Sequence, residues 1–396
     1  MTERQHENRE RGDGSAGGPS AAEGVPARYA RQALLPGIGA EAQARLRDAH
    51  AIIVGCGALG CGVADHLARA GVGTLTIIDR DVVETSNLQR QCLFDQRHAG
   101  GATPKAEAAR QRLGEINSEV RVIAHVAEFN ARTWRSLVPE FLFARGAPAE
   151  PDRPPVVLID GCDNFPTRLL LNDIAVAHSI PYIYAGVIAT RAMVMPVPPG
   201  RPGACLRCLL PEPPAPGVVG TCDTVGVLGP AVGLATAIQA SEALKVLLGL
   251  EARVSADLTE IDLWSNSIRR IPAASLRDPA CACCAAREFT WMDHGRAPDA
   301  ATLCGRDAIQ LAPTRDGALD LGAIADRLRP VGTVDHNQFL VRFTPDQSAS
   351  DASRDQRASD APPPACLTIF RDGRVLVHGA ASPERARAIR DRYLGV

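Results

Sequence analysis

The chain has 396 residues, of which 45% are hydrophobic and 22% charged, and a formal net charge of −2 at pH 7. A chain of this length is expected to form two or three domains and can bury a substantial core. Because basic and acidic residues are balanced and interspersed, the composition excludes a general attraction to nucleic acid or to an anionic membrane surface.

The N-terminal segment is polar, charged and rich in glycine, serine and proline, and it lacks the apolar stretch of a secretory signal. We therefore predict a disordered tail over residues 1–27. The longest apolar stretch, residues 225–250, contains polar and charged side chains and is predicted to be a buried helix instead of a membrane span. Twelve cysteines without a signal peptide favour a reducing cytoplasm, with some thiolates on a metal and others packed in the core.

Apolar runs alternate with helical patterns through the first half of the chain. The run at residues 51–54 ends in glycine, as expected of a strand that is buried on both faces. Strands that alternate with helices predict an α/β fold with a Rossmann-like, doubly wound, mostly parallel sheet. The predicted elements are helices over residues 41–48, 60–70, 104–116 and 166–178, and strands over 51–54, 74–79, 120–124, 156–160 and 181–185.

The second half of the chain contains a different pattern. Residues 196–216 are rich in proline and glycine and are predicted to be irregular, and a long helix over residues 227–248 follows. We predict one domain over residues 28–290 and a small α+β domain over residues 300–396, with a disordered insert at 344–364. The segments that predict the small domain are 302–311, 319–328, 338–343, 366–370, 375–378 and 383–393.

A glycine turn of the form G-x-G-x-x-G lies between the first predicted strand and its helix. Gly55 allows a tight turn, Gly57 lets the backbone approach a phosphate, and Gly60 permits close packing of the helix. The amides at the start of that helix can bind an anion, and Asp79 at the end of the next strand can accept hydrogen bonds from a ribose. This combination predicts an adenosine-containing ligand without separating NAD from ATP, and a turn that binds no ligand is the alternative.

Polar side chains beyond this acid favour ATP. Arg90 and Lys105 can neutralise phosphate oxygens, and Asp163, just past the carboxyl end of a strand, suits Mg²⁺ held between protein and phosphates. Each has an alternative interpretation: the two cations as solvated surface charges, and Asp163 with Asn164 as a turn or helix cap.

Two C-x-x-C pairs lie far apart in the chain, Cys205 with Cys208 and Cys281 with Cys284. Four thiolates in a tetrahedral array form a closed, structural zinc site with no position left for a substrate. Such a site would attach the proline-rich stretch to the segment beyond the long helix. Unligated core thiols are the alternative, and Cys283 makes the choice of ligands ambiguous.

Taken together, these motifs resemble the ThiF/MoeB/HesA family, the bacterial relatives of ubiquitin-activating enzymes, and most closely its ThiF-type sulfur-carrier adenylyltransferases. The resemblance covers about residues 28–287 and depends on several separate stretches. They are residues 28–32, 55–60, 79–91, 104–105, 163–168, both C-x-x-C pairs and 221–224.

The resemblance implies a role for each matched residue. Asp79 would hold the ribose, Asn87, Arg90 and Lys105 would contact phosphates, and Asp163 would bind Mg²⁺. The loop before Lys105 is slightly longer than is usual in the family, so the chain departs from the family pattern at this residue. Arg31 would reach into the site of the partner subunit in a homodimer. The implied nucleotide-binding set is Gly55, Gly57, Gly60, Asp79, Asp81, Asn87, Arg90, Lys105 and Asp163.

The implied reaction is attack by the terminal glycine carboxylate of a ThiS- or MoaD-like carrier protein on the α-phosphate of ATP, which releases pyrophosphate. A carboxylate is already ionised at neutral pH, so no general base is needed.

Cys222, before the long helix, corresponds to the thiol proposed to receive the activated carrier, and a helix N-terminus would lower its pKa. Packing is the alternative role for this thiol. The resemblance also implies thiamine or molybdopterin biosynthesis and a cysteine desulfurase or rhodanese as sulfur donor.

The C-terminal domain lacks a recognisable rhodanese loop, and we expect it to dock the carrier or to close the structure.

Three other functions compete with adenylation of a carrier protein: an NAD-dependent oxidoreductase, a zinc-stabilised scaffold that binds a ubiquitin-like partner without activating it, and a tRNA-modifying relative. The balanced charge disfavours RNA as the substrate.

Overall fold

The computed structural model describes residues 24–143, 154–200, 203–214, 222–255, 257–293, 300–303, 308–315, 317–346 and 365–395. The predicted tail at 1–27 lies outside these ranges except for its last four residues. The predicted insert at 344–364 lies outside them except for its first three, of which two continue a strand.

The larger sheet, the Rossmann sheet, contains eight strands. They are β1 (His50–Val54), β2 (Thr74–Ile78), β3 (Arg121–His125), β4 (Val156–Asp160), β5 (Tyr182–Ile188), β6 (Arg191–Val197), β7 (Asp257–Asp262) and β8 (Ser267–Pro272). Their spatial order is β3-β2-β1-β4-β5-β6-β7-β8, with the first five parallel and the last three antiparallel. The chain reverses direction across the sheet between β1 and β4, which opens a crevice at their carboxyl ends.

Helices cover both faces of the Rossmann sheet because its central strands are apolar on both sides. Ala51 and Ile53 of β1 pack into one core cluster, and Ile52 and Val54 pack into the other. The helices of this part are α1 (Ala30–Ala33), α2 (Gly39–Asp48), α3 (Ala58–Ala70), α4 (Gln96–Gly100), α5 (Lys105–Ile116), α6 (Trp134–Leu137), α7 (Phe165–His178), α8 (Leu206–Leu209), α9 (Cys222–Val225) and α10 (Gly229–Leu247). Helices α3, α5 and α10 contribute to the first cluster, whereas α6 and α7 contribute to the second.

A second sheet, the C-terminal sheet, is antiparallel and has six strands. They are β9 (Ala300–Leu303), β10 (Ala308–Leu311), β11 (Gly332–His336), β12 (Leu340–Pro345), β13 (Cys366–Phe370) and β14 (Val375–His378). Their order is β11-β12-β13-β14-β10-β9. Two helices, α11 (Leu321–Leu328) and α12 (Pro383–Leu394), pack on one face of this sheet. The opposite face contacts the Rossmann part of the molecule at Val82.

The predicted fold class is confirmed, but several elements differ from the sequence-based expectation. Strands β6, β7, β8 and β11 were not predicted. Strand β6 contains an apolar run at 192–195 and continues to Val197, so the first two residues of the stretch predicted to be irregular belong to a strand. Strand β7 lacks a strict apolar alternation, and most side chains of β8 and β11 are exposed. The segment at 302–311 includes the end of β9 and the whole of β10. Within the described ranges, no helix combines the length and the apolar character needed to cross a membrane.

Candidate functional site

The glycine turn joins β1 to α3, and two of its glycines are required by contacts within the protein. Gly55 has a φ of +88°, and a Cβ atom there would lie 2.5 Å from the carbonyl oxygen of Gly161. A Cβ atom on Gly60 would lie 1.9 Å from the carbonyl oxygen of Gly55. No side chain fits at either position, so the chain must pass this point as glycine. The turn therefore keeps the ends of β1 and β4 in direct backbone contact.

Gly57 differs from the other two glycines because the protein around it leaves room for a Cβ atom. A Cβ atom on Gly57 would have Gln91 Nε2 as its nearest neighbour, at 3.9 Å, so packing does not demand glycine here. Gln91 is buried, and its Oε1 atom has no hydrogen-bond partner among the described residues. An orphaned buried carbonyl costs stability unless something outside the chain meets it. Gly57 and Gln91 thus meet at the N-terminus of α3, where the backbone without a side chain and the buried amide oxygen suit a polar ligand.

Asp79 follows β2 and connects the turn to the next segment. Its Oδ2 atom accepts a hydrogen bond from the Cys56 amide at 2.6 Å, and its Oδ1 atom accepts one from the Asp81 amide at 2.7 Å. Burial raises the pKa of Asp79, and the nearby Lys105 ammonium opposes this rise. Each carboxylate oxygen has a second lone pair, so Asp79 can accept further hydrogen bonds from a ligand.

Lys105, which follows the longer loop, lies beside these two acids. It is the first residue of α5, it is buried, and its Nζ atom lies 3.2 Å from Asp81 Oδ2. Its backbone amide donates to the Asp81 carbonyl at 2.8 Å. The longer loop at residues 100–103 therefore does not carry Lys105 away from Asp79 and Asp81.

Asp163 is exposed on the loop between β4 and α7, next to the contact of Gly55 with Gly161. The neighbouring Asn164 caps α7, because its Oδ1 atom accepts a hydrogen bond from the Thr167 amide at 3.0 Å. The helix-cap interpretation thus holds for Asn164. Asp163 remains at the mouth of the crevice, with the Asn164 side-chain amide 3.5 Å from its Oδ1 atom.

A buried polar network fixes the start of this loop. Asp160 is fully buried and accepts hydrogen bonds from the Tyr182 hydroxyl at 2.7 Å and the Cys162 amide at 2.9 Å. The Arg168 guanidinium donates to the Cys162 carbonyl at 2.6 Å and lies 3.8 Å from Asp160 Oδ1. Because Asp163 follows directly, this network sets where its carboxylate can reach.

Asn87 and Arg90 lie on the segment between β2 and α4. Asn87 is buried, and its Oδ1 atom accepts a hydrogen bond from the Glu84 amide at 3.1 Å, which caps a short 3₁₀ turn. Arg90 is half-buried and donates to the Ser86 carbonyl at 2.8 Å. Both side chains thus brace their own segment, and their predicted contacts with phosphates stay predictions.

The structure does not place two predicted site residues, Arg31 and Cys222, at this crevice. Arg31 is exposed on α1, which meets the far end of α3 where Gln32 donates to the Ala70 carbonyl. Helix α3 is about 20 Å long, so Arg31 is remote from the glycine turn of its own chain. Cys222 begins the short helix α9, but its side chain lies outside the described part of the structure.

Sequence reasoning missed Arg80, which directly follows Asp79. Its Nη1 atom lies 2.6 Å from Glu128 Oε1. Burial lowers the pKa of Arg80, but the carboxylates of Glu128, Asp81 and Asp163 raise it by more, so the guanidinium stays charged. No motif indicates this residue, because its partner Glu128 is 48 positions away. Gln91 was likewise not singled out within the polar stretch.

The cysteines of the two C-x-x-C pairs meet in space. The sulfur atoms of Cys205, Cys208, Cys281 and Cys284 lie within 4.8 Å of one another, so this cysteine cluster could hold a metal ion. Individual sulfur–sulfur distances are 4.0 Å for Cys205–Cys208, 3.7 Å for Cys205–Cys281 and 3.5 Å for Cys208–Cys284. Cys283 is buried beside the cluster, where its sulfur accepts a hydrogen bond from Asn172 at 3.3 Å.

Helix α7 anchors both halves of the cysteine cluster. Asn172 Oδ1 accepts a hydrogen bond from the Leu206 amide at 2.8 Å, within the first pair. The buried Asp173 lies 3.3 Å from Arg207 and accepts a hydrogen bond from the Trp291 amide at 3.0 Å, beyond the second pair. The cluster therefore brings the proline-rich stretch next to the segment that follows β8, and attachment of the two by zinc stays a prediction.

The chain resembles known proteins along most of its length. It is 37% identical over 369 residues to the sulfur carrier protein ThiS adenylyltransferase of Bacillus subtilis, covering 93% of this chain and 99% of that protein. It is 36% identical over 261 residues to the sulfur carrier protein adenylyltransferase of Thermus thermophilus, covering 65% of this chain and 90% of that protein. Among solved structures, E. coli MccB with ATP superposes with a TM-score of 0.53 at 25% identity, covering 65% of this chain and 74% of that chain.

The ThiF family matches residues 29–283, which include the glycine turn, the crevice and most of the cysteine cluster. This match spans more than half of the chain, and the Bacillus relative is similar along nearly all of it. The chain therefore belongs to the ThiF family.

Proposed function

We propose that this protein uses ATP to adenylate the terminal glycine carboxylate of a ubiquitin-like sulfur-carrier protein and releases pyrophosphate. The observation that carries the proposal lies at the N-terminus of α3, where packing does not demand glycine at Gly57 and the buried Gln91 oxygen has no partner among the described residues. The unpaired amides of a helix N-terminus are suited to a phosphate. The similarity to E. coli MccB with ATP and to two sulfur-carrier adenylyltransferases supports ATP as the ligand.

Each side chain near the N-terminus of α3 has a proposed role. Asp79, supported by Asp81, accepts hydrogen bonds from the ribose, and Asn87, Arg90 and Lys105 neutralise the phosphates. Both reactants are anionic, so the work of the site is alignment and neutralisation of charge. Lys105 supports this assignment best, because it is already buried next to both acids. Arg31 would complete the site of a second copy, because it is exposed and distant from its own crevice.

Asp163 is the proposed contact to Mg²⁺. Its exposed carboxylate at the carboxyl end of β4 is the oxygen ligand that this cation prefers, and phosphate oxygens would supply others. When bound, the ion would withdraw negative charge from the phosphates. Asp160 and Arg168 would keep the loop in place for this contact.

The cysteine cluster is the proposed zinc site. Four sulfurs arranged tetrahedrally at about 2.3 Å from zinc lie about 3.8 Å from one another. Three of the six sulfur–sulfur distances, at 3.5–4.0 Å, fit this spacing, and all six are within 4.8 Å. With all four positions taken by thiolates, the metal would stabilise the fold and leave no place for a substrate.

The partners follow from the same proposal. We assign a ThiS-type carrier, and with it thiamine biosynthesis, because the Bacillus relative that is similar over nearly the whole chain acts on ThiS. The activity would reside in a cytoplasmic homodimer with residues 28–290 as its adenylating domain and residues 300–396 as a separate domain. Cys222 is proposed to receive the activated carrier, and a cysteine desulfurase or rhodanese would supply sulfur.

The direct test is carrier-dependent exchange of pyrophosphate into ATP. We expect exchange with a ThiS-type carrier that ends in Gly-Gly and none with the same carrier lacking its last glycine. A protein that binds ATP but gives no exchange with either a ThiS- or a MoaD-type carrier would contradict the function. Higher kcat/KM with the MoaD-type carrier would instead reassign the carrier while the chemistry stands.

A further inference from the structure

The C-terminal sheet contacts the segment that directly follows Asp79. Val82 is buried in a small apolar cluster with Leu340 of β12, Phe370 of β13 and Leu376 of β14. These three side chains come from the face of the C-terminal sheet opposite to its two helices. The apolar contact therefore lies one to three residues from the acids of the proposed nucleotide site.

Arg374 makes polar contacts across the same boundary. It precedes β14 and its side chain is 3% exposed. Its Nη1 atom donates to the Arg80 carbonyl and its Nη2 atom to the Val126 carbonyl, both at 3.4 Å. Asp372 lies 2.6 Å from Nε, and the guanidinium lies 4.6 Å from the centre of the Phe370 ring. Its own sheet thus holds Arg374 in one orientation, and its two outer nitrogens reach the backbone after β2 and after β3.

A second polar link runs through Glu128, which bonds to both parts of the molecule. Its Oε1 atom accepts from Arg80 Nη1 at 2.6 Å, and its Oε2 atom accepts from Gln310 Nε2 of β10 at 2.5 Å. Gln310 is buried. The C-terminal sheet is therefore linked to Arg80 in two ways: directly, from Arg374 to the Arg80 carbonyl, and indirectly, from Gln310 through Glu128 to the Arg80 side chain.

The segment held in this way is also tied to the site. The Asp81 amide donates to Asp79, Asp81 Oδ2 lies 3.2 Å from Lys105 Nζ, and the Val83 amide donates to the Thr103 carbonyl at 2.9 Å. A shift of the backbone at Arg80 would move Asp81 and, through it, both Asp79 and Lys105. Hydrogen-bonded sites lose function steeply when their groups are misplaced by about 1 Å.

We propose that Arg374 is a positioning residue of the nucleotide site, through which the C-terminal sheet fixes Asp79, Asp81 and Lys105 for ATP. The proposal rests on the proposed function, since it assumes that these three residues meet the nucleotide. In this proposal the C-terminal sheet acts on the ATP site indirectly, through the segment that carries Asp79 and Asp81.

The test compares Arg374→Gln with Arg371→Gln in the full-length protein. Arg371 is exposed at the start of the same hairpin turn and serves as the matched control. For Arg374→Gln we expect KM for ATP and the calorimetric Kd for ATP to rise roughly tenfold or more, with KM for the carrier unchanged. Arg371→Gln should match the wild type. Arg374→Lys, which keeps the charge but not the two-pronged contact, should recover part of the loss.

A second variant separates positioning from stability. Gln310→Leu removes the link to Glu128 at similar volume and should raise KM for ATP severalfold while the thermal midpoint shows a folded protein. Folded Arg374→Gln and Gln310→Leu proteins with wild-type KM and Kd for ATP would overturn the proposal, as would equal loss of affinity for ATP and carrier. If instead the wild type binds ATP without any carrier-dependent exchange, the proposed function fails while the positioning result stands.

Discussion

The crevice at the glycine turn and the cysteine cluster both join distant parts of the chain, but they use their polar atoms in opposite ways. The crevice leaves the Gln91 oxygen without a partner among the described residues and the Asp163 carboxylate exposed. The cysteine cluster brings four sulfurs within 4.8 Å of one another, and the buried Asn172 and Asp173 brace the segments around it. The crevice thus keeps hydrogen-bond acceptors available for a reversibly bound ligand. The polar atoms around the cysteine cluster instead bond to other parts of the fold. Substitutions should therefore affect activity in one region and stability in the other.

The largest effect is expected at the cysteine cluster. Cys284→Ser should abolish bound zinc and lower the free energy of unfolding by roughly 4 kcal/mol or more, because binding energy of a structural metal is folding energy. Metal analysis of the purified protein and urea unfolding would measure both quantities. Cys366→Ser, which changes a half-buried cysteine of the C-terminal sheet, is the control. Full zinc content in Cys284→Ser would show that this sulfur is not a ligand.

Asp163→Asn should produce the opposite pattern. We expect the exchange rate to fall by about a hundredfold to a thousandfold, since a group that handles transition-state charge is lost. The unfolding midpoint should not change, because Asp163 is exposed. Asp326→Asn, at an exposed acid of α11, is the matched control. If Asp163→Asn kept its exchange rate, the crevice would not use this carboxylate.

A smaller effect is expected from Gly57→Ala. A Cβ atom fits the protein here but would occupy the space proposed for the phosphates, so Kd for ATP should rise about tenfold while the fold is kept. Gly114→Ala, at an exposed position of α5 with open space around it, should leave Kd unchanged and stabilise the protein slightly. Tight ATP binding by Gly57→Ala would place the phosphates elsewhere.

The sequence predicts those strands and helices whose burial leaves a pattern in the local sequence. Strands β1 and β4 contain continuous apolar runs because both faces are covered, and both strands, like β2, were predicted to within one residue. Strand β8 carries mostly exposed side chains, including Arg269 and Arg270, so no periodic pattern marks it. It is a strand because β7 pairs with it, which is a tertiary cause.

The candidate site divides in the same way. Gly55, Gly60 and Asp79 follow from a local strand–turn–helix motif, and the structure gives each a definite contact. Arg80 could not be predicted, since its importance depends on Glu128 and on Arg374, the latter 294 positions away. The role of Gln91 depends on a buried oxygen that has no partner in the described ranges, which is a property of the tertiary structure and not of a local motif.

The backbone contact between Gly55 and Gly161 has a consequence for inheritance and for engineering. A Cβ atom on Gly161 would lie 2.2 Å from the Gly55 carbonyl oxygen, just as one on Gly55 would collide with Gly161. A residue other than glycine at position 55 or 161 would therefore require the opposite loop to move away. In a chimera with another Rossmann protein, the two loops would have to be transplanted together, because a foreign partner at either position would push the glycine turn away from the loop that carries Asp163.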